Sequence, residues 1–140
     1  MKMPMRSRLL TVLASAAAFL AATTTTAGAQ VVKEGSQFVF IYAGGYRMCT
    51  AALFDDGPNT DVRGQFEAHH GGACQGWLER RRDNPDGSTM YGWTRVSDYY
   101  FVPDNWAKAT GAHWNGTGAG SRVCIILTST GEKGCTDVRW

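Results

Sequence analysis

Gln37-Phe38-Val39-Phe40-Ile41-Tyr42-Ala43 and Tyr46-Arg47-Met48-Cys49-Thr50-Ala51-Ala52-Leu53 stand on either side of Gly44-Gly45. Aromatic and β-branched residues favour extended backbone, and a glycine pair accepts the positive φ angles of a two-residue hairpin turn. The stretch therefore predicts an antiparallel hairpin, and the rest of the chain repeats its grammar. Gln75 to Asp83 and Ser88 to Ser97 flank Asn84-Pro85-Asp86-Gly87, a second hairpin. Arg122 to Thr128 and Cys135 to Trp140 flank a turn at Ser129 to Gly134, a third.

Between these hairpins the signals are weaker. Asp55 to Asp61 is dense in turn formers and reads as a loop, followed by a short strand at Gly64 to Ala68. A strand near Asp98 to Val102 ends at Pro103, and Asn105 to Ala119 is ambiguous, with Gly116, Gly118 and Gly120 marking its end as loop. Seven or eight short strands with turns at close intervals predict an all-β fold. The expected form is a small antiparallel β-sandwich, immunoglobulin-like or barrel-like, with two disulfides.

The N-terminus is of another kind. Lys2, Arg6 and Arg8 precede an apolar run from Leu9 to Ala22, then Thr23 to Thr26 and the small residues Ala27 and Ala29. This is the pattern of a secretory signal peptide over residues 1–29, leaving 30–140 as one domain that starts at Gln30. Fourteen residues fall short of the roughly 20 needed to span a bilayer, so no membrane attachment is expected after cleavage. Losing the leader leaves eleven basic residues against twelve acidic ones, a net charge of −1. A chain so balanced lacks the positive field of a nucleic-acid binder.

Cys49, Cys74, Cys124 and Cys135 all follow the leader, and an even count in an exported chain implies a disulfide framework. Cys124 and Cys135 lie on the two arms of the last hairpin, which leaves Cys49 to pair with Cys74. The spacing matches neither CxxC redox motifs nor paired CxxC zinc ligands, and no cofactor or metal is expected.

The segment Cys74-Gln75-Gly76-Trp77-Leu78-Glu79-Arg80, with Gly92-Trp93-Thr94-Arg95-Val96-Ser97, Arg122-Val123-Cys124 and Gly134-Cys135-Thr136, resembles a group of small secreted actinobacterial proteins. The resemblance covers most of the chain from Cys49 onward and implies a disulfide-linked β domain outside the cell. A second, weaker likeness is to the two-disulfide β-sandwich inhibitors of α-amylase, whose Trp-Arg-Tyr triplet is absent here.

Several residue groups could carry chemistry. His69 and His70 would point to opposite faces of a strand, which suits solvated loop residues better than a shared metal ion. Arg80-Arg81-Arg82 could hold an acidic partner, but flanked by Glu79 and Asp83 it reads as an exposed strand end. Glu67, Glu79, Asp98 and Asp104 are the carboxylates available to a glycoside hydrolase, and nothing in the sequence pairs them. Asn115-Gly116-Thr117 has the form of a glycosylation sequon and is read as coincidence.

Trp77 and Trp93 are expected in the core. Trp106, His113 and Trp114 occupy the irregular stretch and are the expected contact residues, since tryptophan is common at binding hot spots and loops on a rigid sheet carry function. The leading reading is a monomeric, secreted binding domain without catalytic residues, with an extracellular protein partner ahead of a polysaccharide and inhibition of an extracellular enzyme as one form of it. The alternatives are a carbohydrate-binding module and a small secreted hydrolase.

Overall fold

A computed structural model describes residues 28–34, 37–56 and 61–139. Residues 1–27 of the expected leader, and 57–60 within the expected loop, lie outside that set. The strands are β1 (Gln30–Glu34), β2 (Phe38–Ala43), β3 (Tyr46–Asp55), β4 (Asp61–Ala68), β5 (Cys74–Asp83), β6 (Thr89–Arg95), β7 (Tyr100–Val102), β8 (Ala107–Ala109), β9 (His113–Trp114), β10 (Ala119–Leu127) and β11 (Lys133–Cys135).

They form two antiparallel sheets. The first runs β1-β2-β3-β4 as a meander, and β8 and β9 both pair with β4 on its far side. The second runs β11-β10-β5-β6, with β7 on β5. The expected sandwich with two disulfides is what forms. The β2–β3 turn has Gly44 at φ +59° and Gly45 at φ +82°, both left-handed as a type I′ hairpin turn requires. The strand β1, which starts at Gln30, has no counterpart in the sequence reading. The last strand, β11, lies earlier than the expected Cys135 to Trp140 and meets it only at Cys135; beyond it, among the described residues, an isolated bridge joins Arg139 to Ser121, and Trp140 lies outside the described residues.

Alternation along each strand builds the core between the sheets. On β4, Val62, Gly64, Phe66 and Ala68 are buried while Arg63 is exposed. Val39 and Ile41 of β2, Leu53 of β3, Leu78 of β5, and Val123, Ile125 and Leu127 of β10 join them, each at most 1 % exposed. Phe66 crosses the layer and presses on Gly76, where a Cβ would lie 2.2 Å from its ring. Only glycine lets β5 pass so close to a phenyl ring.

The two disulfides do different work. Cys49–Cys74 ties β3 to β5 across the core, sheet to sheet, and both residues are fully buried. Cys124–Cys135 joins register partners of β10 and β11 within one sheet.

Candidate functional site

The free edge of the first sheet is made by the stretch the sequence left ambiguous. Ala107 and Ala109 pair with Glu67 and Gln65, and His113 and Trp114 pair with Val62 and Asp61. At the other end, the Ala68 amide donates to the Trp106 carbonyl at 3.0 Å. Trp106 closes a turn in which its N–H donates to the Pro103 carbonyl, with Asn105 at φ +59°. Its indole is 62 % exposed on a backbone pinned to β4, and Trp114 is 42 % exposed. Both tryptophans among the expected contact residues are therefore at the surface, while His113 is half-buried. The two tryptophans do not form one cluster: their partners Ala68 and Asp61 are seven steps apart along β4, about 23 Å at ~3.3 Å per residue.

Around Trp114 the geometry is more specific. β5 buries Gly76 and Leu78 toward the core, so Arg80 and Arg82, next in that alternation, continue the inner face past its end. Their guanidinium carbons lie 5.6 and 5.4 Å from the Trp114 ring centroid, within cation–π range. Gly116 makes room for the indole, since a Cβ there would come within 2.3 Å of it. Arg81 points the other way and pairs with Asp83 at 2.9 Å.

The triplet lies at the strand end expected from sequence, but all three arginines are half-buried instead of exposed, and alternation places the outer two on one face. Neither Arg80 nor Arg82 has a carboxylate partner among the described residues, and Arg80 Nε is buried without a hydrogen bond. His113, half-buried nearby, has its pKa lowered by burial and by the charge of Arg80, against an opposing pull from Asp61. The arrangement sets two guanidiniums, without a carboxylate partner among the described residues, against one indole face.

No family profile, curated protein or solved structure matches the chain.

The outer face of the second sheet is closed by its own side chains. Trp77 is buried as expected, 5 % exposed, but it packs on this face and not in the cluster between the sheets. Tyr99 meets it edge-on at 5.3 Å and the Lys133 ammonium lies 5.0 Å from its ring centroid. Trp93, half-buried, carries the Arg122 guanidinium at 4.1 Å, so it too lies outside the expected core. At the centre, Glu79 accepts from Trp77 Nε1 and Arg122 Nε, each at 2.8 Å. Burial alone would raise its pKa, but those hydrogen bonds and the charges of Arg122 and Lys133 hold it below the ordinary 4.5.

The other candidate groups are occupied elsewhere. Glu67 faces outward from the first sheet and Glu79 outward from the second, so a core about 10 Å thick separates their strands. That pair cannot flank one glycosidic bond. Asp104 accepts from the Gly71 amide at 2.8 Å and so braces the His69–Gly72 turn. His69 reaches Glu67 at 3.3 Å, and His70 packs on Tyr46. One group of three metal-ligand types occurs among the described residues, Glu79 with Cys124 and Cys135, and its sulfurs are bonded to each other. Asn115 is buried and holds Ser121 and the Arg139 carbonyl, a structural use of the sequon asparagine.

Proposed function

We propose that the chain is a secreted binding domain whose partner is an extracellular protein, gripped by an acidic part of that protein's surface at Arg80, Arg82 and Trp114. The supporting observation is the pair of guanidiniums that flank an exposed indole without a carboxylate partner among the described residues. Two partly desolvated cations beside a tryptophan are costly unless something anionic meets them, and tryptophan and arginine dominate interface hot spots. Inhibition of an extracellular enzyme is one form this binding would take, with Trp106 as a second, independent anchor at the opposite end of β4.

Export rests on the leader pattern and fits a fold stapled by two disulfides, which persist in oxidising compartments. Membership of the secreted actinobacterial group, and a monomeric state, belong to the same proposal.

The test is a capture experiment with the oxidised protein immobilised in culture supernatant, run beside an Arg80→Gln/Arg82→Gln double variant and Trp114→Ala. A captured protein should be lost with both variants, and its retention should fall between 0.05 and 0.5 M salt, as screening shortens to a few ångströms. Equal capture by all three proteins sinks the assignment of the site. Recovery of an acidic polysaccharide in place of a protein sinks the assignment of the partner.

A further inference from the structure

Gln30 holds two positions at once. It is the first residue of β1 and stands opposite Tyr42 in the ladder with β2. It also follows Ala27-Gly28-Ala29, the small-residue end of the expected leader, and becomes the first residue of the chain when the leader is cut there. No spare residue then precedes the sheet. Val31, next in line, packs on the core cluster and reaches the second sheet, where a Cβ added at Gly134 of β11 would lie 2.8 Å from its Cγ1. An exopeptidase that removes one residue from this end shortens the ladder, and its second step removes a packed side chain.

A terminal glutamine sets a nucleophilic amine and a carboxamide carbon at the spacing of a five-membered ring. The Nα lone pair attacks Cδ and an Nα–Cδ bond forms. The Cδ–Nε2 bond breaks, and Nε2 leaves as ammonia with the proton that Nα sheds. No oxidant, reductant or co-reactant enters. The α-amine is the least basic amine of a chain, so part of it is neutral and nucleophilic near pH 7. Gln30 is exposed, which leaves its side chain room to fold back on its own amine.

Closure suits this place in the ladder. The lactam nitrogen keeps one hydrogen and the Gln30 carbonyl is untouched, so both groups that a strand residue offers its neighbour survive. What is lost is a terminal charge and the free amine that an aminopeptidase must grip. We infer that Gln30 is a modification site, cyclised to pyroglutamate in the exported protein, and that the lactam caps β1 against trimming. The assignment rests on export and on a leader boundary after Ala29, and is independent of the arginine–tryptophan site at the sheet edge.

The experiment is intact-mass analysis of protein expressed from the full chain and collected from the medium, followed by exposure of the folded protein to an aminopeptidase. The expected species begins at Gln30, carries both disulfides and is lighter by one ammonia, and Edman degradation should release no residue from it. Gln30→Asn, whose side chain would have to close a strained four-membered ring, should begin at the same position with its ammonia retained. The aminopeptidase should shorten that variant and leave the parent at its starting mass. A chain that begins at Gln30 with its ammonia retained overturns the cyclisation while the leader boundary stands. A chain that begins elsewhere overturns the boundary and the inference with it. Equal resistance of parent and variant to the aminopeptidase overturns the capping role.

Discussion

Arg122 and Glu79 are register partners on β10 and β5, and the guanidinium binds the carboxylate through Nε at 2.8 Å and Nη2 at 2.7 Å. The pair sits under a roof of aromatic rings on the outer face of the second sheet, and Trp77 Nε1 binds the other carboxylate oxygen. A hydrogen-bonded ion pair shielded in this way is worth more than an open surface pair, and removing one partner strands the other.

Acid should therefore weaken the fold through Glu79. Its pKa is lowered in the folded state, so the unfolded chain takes up the proton more readily and stability is lost as pH falls below about 4.5. Glu79→Gln should cost about 1.5–3 kcal/mol at pH 7. Thermal denaturation at pH 7 and pH 3 should show the parent losing more than the variant, and parallel losses would remove Glu79 from the account.

The two disulfides should differ in consequence. Loops of 26 and 12 residues each give roughly 3 kcal/mol on the chain-entropy account, the longer somewhat more. Replacing Cys49 and Cys74 with Ala also opens space in the cluster between the sheets, whereas Cys124, fully buried, and Cys135, half-buried, lie outside that cluster. In urea unfolding, the Cys49→Ala/Cys74→Ala variant should have the lower midpoint. The reverse order would place the decisive staple in the last hairpin.

Gly76→Ala should damage the fold although alanine is the smallest change available. The new methyl group would enter the Phe66 ring, which itself stacks on Tyr100 at 5.9 Å. Overpacking of this kind costs about 1–3 kcal/mol. Combining it with Phe66→Leu should recover part of the loss in melting temperature, and a purely additive double variant would show that the two sites do not share the strain.

At the sheet edge, His113 reports on Arg80. Burial comes first in lowering its pKa and the arginine charge second, so Arg80→Met should move the imidazole titration up toward the ordinary 6.5. The sign for stability follows: an imidazole that resists protonation in the fold gives stability that is present above 6.5 and lost as pH falls through its folded value. A proton-detected NMR titration of the parent and variant reads both. An unchanged His113 titration would separate the two residues electrically.

Hairpins, the two-layer all-β class and the cysteine pairing were legible because each rests on local chemistry. A glycine pair permits one kind of turn, alternation sets the buried face, and cysteines on opposite arms of a short hairpin are already neighbours. The surface exposure of Trp106 and Trp114 was legible for a related reason, since a glycine-rich irregular stretch has no periodic face to bury. What each of those residues meets was decided by packing between distant segments. Arg80 and Arg82 meet an indole only because β9 lays Trp114 against the end of β5, and Trp77 is buried on the outer face of its sheet because it shares a side of β5 with Glu79. Alternation along a strand is written in the sequence, but which strand lies beside it is set by the sandwich as a whole.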